Sequence, residues 1–160
     1  MFYDRFRSSG YMTNWTARLL ARAIDTRLRP IGMSSGYMPV MFALAHGASL
    51  SQRTLTEYAA IEQPTMAATL TRMERDGLVE RRRDPADGRV WLYTLSDAGT
   101  AKSVKVREAG LEVNEAALAG MTPDEREAFL ATLARVVANL EKFIGDAGKD
   151  VAVDDGPEVR

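Results

Sequence analysis

The residues best suited to recognition chemistry lie between Gln63 and Arg75. With Met66, Leu70 and Met73 turned inward at helical spacing, Thr65, Ala68, Thr69 and Arg72 fall at steps of three and four on one helix face. That face is short, polar and nearly free of acids. A helix entering a major groove needs such residues: small ones for close approach, hydroxyls for phosphates or base edges, and an arginine able to pair with guanine. Downstream, Arg81, Arg82 and Arg83 stand in a row, and Arg89 follows the turn formers Asp84-Pro85-Ala86-Asp87-Gly88. A narrow minor groove carries enhanced negative potential and attracts an inserted arginine, which a hairpin tip can deliver. The candidate DNA contacts are therefore Gln63, Thr65, Ala68, Thr69, Arg72, Arg75, Arg82, Arg83 and Arg89.

Composition narrows the alternatives. The chain has no cysteine and a single histidine, His46, which excludes disulfides, thiolate zinc sites, cysteine nucleophiles and thiol-oxidation sensing. Its scattered carboxylates and hydroxyls form no catalytic motif, so no enzyme, no metal site and no cofactor is expected. A net charge of −1 means that any basic surface is local, as the arginines between Arg72 and Arg89 are. Polar helix faces also occur on proteins that never touch DNA, and Arg81 to Arg83 can pair with Glu80, Asp84 and Asp87. A protein-interaction module of the same fold that has lost DNA binding is thus the second reading, favoured by the low total charge and by Glu62 at the helix start. No apolar run approaches the roughly 20 residues that span a bilayer, and residues Met1 to Gly10 lack the apolar core of a secretory signal. A cytoplasmic protein without membrane contact is expected.

The elements that would position these residues follow from periodicity and caps. Met12, Trp15, Leu19, Ala23 and Leu28 recur at helical spacing from Tyr11 to Leu28, before Pro30 and Gly32. Ser34 caps a second helix reaching about His46, in which Pro39 is expected to loosen one backbone bond. Ser51 caps a third helix from Gln52 to about Ala60, and a fourth runs from Gln63 to Asp76, closed by Gly77. Leu78 to Arg83 and Val90 to Leu95 read as strands of a hairpin with a long, flexible tip. Ser96 caps a fifth helix to about Leu118. Thr122-Pro123-Asp124-Glu125 is a capping box with proline at the first helical position, opening a sixth helix with Phe129, Leu133, Val136, Val137, Leu140 and Ile144. Residues after Gly145 lack a period and are expected to be disordered.

The predicted fold is mainly α with a small β-hairpin wing, a winged helix-turn-helix with a helical dimerisation region. It is a single domain over residues 1–145, with the winged module at about 34–96, dimerisation helices at about 11–29 and 97–145, and a tail from 146 to 160. The long first, fifth and sixth helices carry more apolar stripe than one small helix pair buries, which itself predicts a dimer.

Asp87-Gly88-Arg89, followed by Leu95-Ser96, is close to the wing pattern of the MarR family of bacterial regulators: Asp-x-Arg, a short strand, then Leu-Thr. The run from Leu70 to Arg81 is similar to that family's passage from recognition helix into wing, and the resemblance extends over roughly Tyr11 to Ile144. Serine in place of threonine keeps the cap. Gly88 stands where many relatives carry a charge, which implies a looser hold on DNA. The resemblance implies an intertwined dimer whose winged modules meet successive major grooves of an inverted-repeat operator. It also implies that Arg89 enters the minor groove while Asp87 orients an arginine. Relatives commonly lose or gain DNA affinity when a small, often aromatic or phenolic, molecule binds between the dimer helices and the winged module. Candidate lining residues for such an effector are Tyr11, Trp15, Met38, Met41, Phe42 and His46, although a Met and aromatic stripe at helical spacing also suits a core.

Overall fold

Ser8 accepts the Tyr11 amide at 3.3 Å and so starts helix α1 (Ser9–Leu28) two residues before the apolar spacing does. The computed structural model describes residues 4–150, which fall into two compact units, one ending at Ala117 and one beginning at Leu118.

In the first unit α1 gives way to a 3-10 turn holding Pro30, and Gly32 turns the chain in the left-handed region at φ 69°. The predicted second helix is broken into three pieces: a 3-10 turn at Ser35–Tyr37, α2 (Met38–Ala43) and a second 3-10 turn at Ala45–Gly47. The break corrects the expected role of Pro39. Because α2 begins at Met38, Pro39 occupies a first turn, where no N–H is required. Met38, Val40, Met41 and Leu44 then join Leu28 and Val106 in the core.

Strand β1 (Leu50–Ser51) is too short to leave a pattern in the sequence. It leads directly into α3 (Gln52–Ala59), capped by Ser51 Oγ accepting the Thr54 amide at 3.1 Å. α4 (Gln63–Arg75) follows. Leu55 of α3 and Met66, Leu70 and Met73 of α4 are each at most 1% exposed, and burial of such a side chain contributes roughly 1.5–3 kcal/mol. These contacts set the angle between the two helices. α4 ends as predicted, with Gly77 at φ 68° and the Leu78 amide bonded back to the Met73 carbonyl at 2.8 Å.

The wing consists of β2 (Val79–Arg83) and β3 (Trp91–Leu95), antiparallel, with β1 on the far side of β3. Its register pairs Val79 with Leu95, Arg81 with Tyr93 and Arg83 with Trp91. Local hydrogen bonds close the tip. Asp84 N–H donates to the Val90 carbonyl at 2.9 Å, Val90 N–H to the Asp87 carbonyl at 2.8 Å, and Ala86 N–H to Asp84 Oδ1 at 2.8 Å.

Ser96 joins three elements at the wing's root. Its amide donates to the Leu78 carbonyl at 3.1 Å, its hydroxyl donates to the Gly77 carbonyl at 2.6 Å, and the same hydroxyl accepts the Gly99 amide at 3.0 Å. It thereby caps α5 (Asp97–Ala117). Gly99 lies so close to Leu78 that an added Cβ would overlap the Leu78 carbonyl oxygen. Lys102 Nζ, farther along α5, donates to the Ile31 carbonyl at 3.0 Å.

In the second unit, α6 (Pro123–Asp150) opens with the predicted capping box: Thr122 N–H to Glu125 Oε2 at 2.8 Å and Glu125 N–H to Thr122 Oγ1 at 3.3 Å. The helix passes through Gly145, where the periodicity predicts its end, and through Gly148, because each helical glycine costs only about 1 kcal/mol. Residues 151–160 of the expected disordered tail lie outside the described residues.

Candidate nucleic-acid interface

The turn between α3 and α4 is made by Ala60 in the left-handed region at φ 50°. A residue with a Cβ is strained there, and Ala60→Gly is expected to raise thermal stability by about 0.5–1 kcal/mol. An unchanged or lowered melting temperature would show that the turn is not strained at this position.

From that turn α4 presents Gln63, Thr65, Ala68 and Arg72 as exposed residues. Thr69 departs from the sequence expectation. It is only 3% exposed and faces inward, since it lies three residues after Met66 and four before Met73, on the flank of the buried stripe. Its hydroxyl accepts from Arg72 Nη2 at 3.3 Å, while Arg72 Nε donates to the Ala68 carbonyl at 3.3 Å. Thr69 thus supports Arg72 and does not itself stand on the exposed face.

Arg75 is exposed but tied down, with Nη2 2.9 Å from Asp76 Oδ1. Asp76 Oδ2 also accepts from the Tyr37 hydroxyl at 2.9 Å. These partners, Arg75 first and Tyr37 next, hold the Asp76 carboxyl below the usual carboxylate range, while burial pushes the Tyr37 hydroxyl up.

Strand alternation divides the wing arginines. Arg81 and Arg83 share the face of Trp91, Tyr93 and Val79, whereas Arg82 lies opposite with Leu92 as its neighbour in register. Arg81 is 3.0 Å from Glu74 and lies 4.7 Å over the Trp91 ring. Arg83 stacks on the same ring at 4.0 Å and donates to the Arg89 carbonyl at 3.4 Å. Both are therefore braces of the wing as well as cations, a distinction invisible in a row of arginines. At the tip, the Arg89 side chain is 92% exposed. Asp87 accepts its amide at 3.0 Å, Nε at 3.1 Å and Nη2 at 3.2 Å. These bonds hold the Asp87 carboxyl low, as a charged acceptor that aims the guanidinium.

The expected effector residues fall in separate settings. Met41 is 1% exposed and belongs to the core, with Met38 at 9% beside it. Phe42 is 41% exposed. His46 is exposed in a left-handed turn at φ 59°. Tyr11 and Trp15 meet edge-on at 5.9 Å, and Phe6 lies 6.0 Å from Trp15. A hollow of about 530 Å³ between α1 and α5 is lined instead by residues such as Leu19, Leu20, Val113 and Ala116, with Arg27 and Glu112 among them. None of the expected residues lines it. Arg27 Nε donates to Glu112 Oε1 at 2.9 Å.

This arrangement of helix pair and wing has counterparts of known family. The MarR family model matches residues 31–90, from the turn after α1 through the wing tip. The transcriptional regulator HosA of Escherichia coli O111:H- is 34% identical over 101 residues, covering 61% of this chain and 73% of that protein. The chain belongs to the MarR family. Its relatives are transcriptional regulators and not enzymes, and the helix pair and hairpin have the fold of a MarR winged helix. The crystal structure of the MarR-fold regulator PcaV from Streptomyces coelicolor, in complex with its natural ligand, has 25% identity and a TM-score of 0.77, covering 86% of this chain and 97% of that one. A mutant MarR from E. coli complexed with operator DNA shares the fold at a TM-score of 0.74 and 20% identity, over 79% of this chain and 91% of that one.

Proposed function

We propose that this MarR-family chain is a dimeric repressor that binds an inverted-repeat operator in duplex DNA and is released by a small aromatic or phenolic molecule. The observation that carries the DNA reading is one module presenting an acid-poor α4 face, Gln63, Thr65, Ala68 and Arg72, beside a wing whose Arg89 is exposed and held by Asp87. Arg82 and the N-terminal turn of α4 supply phosphate contacts, which fix register without reading sequence. Dimerisation is supported by large apolar side chains exposed on a single chain. Leu19 of α1 is 48% exposed and Leu111 of α5 59%, while Leu140, Phe143 and Ile144 of α6 are 54%, 72% and 68% exposed. Among the described residues no helix is long and apolar enough to cross a membrane, and the reading places the protein in the cytoplasm.

Release requires a ligand that binds one arrangement of the recognition helices better than another. Bound ligand in the PcaV structure supports such control. Met38 and Phe42, which lie against the bare surface of Gly110 in α5, supply the apolar wall for it.

Selection of bound sequences from random duplexes, followed by a salt titration, tests the whole reading. Recovery of a short inverted repeat with a steep salt slope is expected. A folded, dimeric protein that enriches nothing would favour the interaction module instead. On the selected operator, Arg89→Ala is expected to weaken binding by about 1–3 kcal/mol. Undiminished affinity would remove the wing tip from the interface.

A further inference from the structure

Gln52 opens α3 and Gln63 opens α4, eleven residues later, and their side chains meet: Gln52 Nε2 donates to Gln63 Oε1 at 3.0 Å. Gln63 is exposed and Gln52 half-buried. Gln63 also stands in the first turn of the recognition helix, the part of such a helix that contacts base edges. A free glutamine amide can present either its oxygen or its NH₂ group, and so accepts or donates with equal ease. Here the oxygen is engaged by Gln52, which leaves the NH₂ of Gln63 as the group available to a further partner.

We propose that Gln52 is a positioning residue that fixes the direction of the Gln63 amide and thereby sets base preference at one position in each half-site. The proposal rests on α4 being the helix that enters the major groove. An available NH₂ selects a base edge that offers an acceptor, such as a purine N7 or thymine O4, over cytosine, whose N4 is a donor. The interaction lies on the surface between the starts of two helices, so its loss alters recognition and leaves the buried side chains of Leu55, Met66 and Leu70 in place.

The test is binding-site selection with the parent protein and with Gln52→Ala, Gln63→Ala, the double variant and Gln52→Glu, each checked for helix content and dimerisation. Gln63→Ala is expected to erase a preference of roughly 5- to 100-fold at one symmetric position. Gln52→Ala should blunt that same position, and should add nothing in the Gln63→Ala background. Gln52→Glu is the decisive variant, because a carboxylate can only accept. It turns the Gln63 amide round, so that Oε1 faces the groove and preference moves to bases that donate, cytosine N4 or adenine N6. A Gln52→Ala profile identical to the parent's, or an equal loss of affinity for every sequence, would overturn the proposal while leaving the DNA reading intact. Failure of the parent itself to enrich any sequence would overturn both.

Discussion

Leu133→Asp combined with Leu140→Asp is expected to turn the protein into a monomer that binds its operator about 100- to 10,000-fold more weakly. α6 spaces Phe129, Leu133, Val136, Leu140 and Phe143 at alternating steps of four and three, with Leu130, Val137 and Ile144 along one flank. That is a continuous apolar stripe on a single helix. Yet Leu130, Val137 and Leu140 are 57%, 54% and 54% exposed, a poor arrangement for a chain that works alone. An unpaired carboxylate in a dry seam costs several kcal/mol, and two copies of each substitution meet across a two-fold axis. Helix content should survive, because Leu133 is only half-buried and Leu140 exposed, and aspartate costs under about 1 kcal/mol of helix propensity. The large affinity loss follows from separating two linked modules, so binding to a single half-site should be nearly unaffected. Sedimentation and a half-site titration check both parts. A double variant that still sediments as a dimer would move the interface away from α6.

Gly99→Ala is expected to destabilise the fold by about 1–3 kcal/mol or more, although the substitution raises helix propensity. Glycine is required here by crowding: backbone of α5 lies against the Leu78 carbonyl, which is itself occupied by the Ser96 amide. Neither partner is the free end of a flexible side chain, so the added methyl must push α5 away from the wing root. Gly10, in α1, meets nothing within 4 Å of its own added Cβ. Gly10→Ala therefore serves as the control and should be neutral or mildly stabilising. Denaturant unfolding of the two variants gives the comparison, and equal stabilities would show that α5 does not approach Leu78 so closely.

Much of this molecule is legible from caps and punctuation. Gly77 ends α4, Ser96 starts α5, and Thr122 with Glu125 starts α6, each through bonds within a few residues that a local pattern encodes. The helix-to-wing passage and the Asp87–Arg89 pair are legible through the resemblance to the MarR wing pattern. What escapes the sequence depends on partners distant along the chain. Thr69 sits on the border of the buried stripe, where spacing leaves its direction open and packing turns it inward. β1 exists only because β3 lies beside it. The crowding at Gly99 and the Gln52–Gln63 bond arise when separate elements are brought together. In the row Arg81-Arg82-Arg83, strand alternation and the position of Trp91 divide residues that composition treats alike.

That indole has a further use. The chain holds two tryptophans, and their surroundings differ. Trp91 lies beneath the guanidinium groups of Arg81 and Arg83 on the wing, whereas Trp15 sits among the rings of Tyr11 and Phe6 near the start of α1. Indole emission shifts with nearby charge, so a phosphate that draws Arg83 off the ring changes the light from Trp91. The protein thus carries two native fluorophores at separate addresses. In a Trp15→Phe background the remaining signal reports the loading of the wing in real time, without a label attached to either protein or DNA.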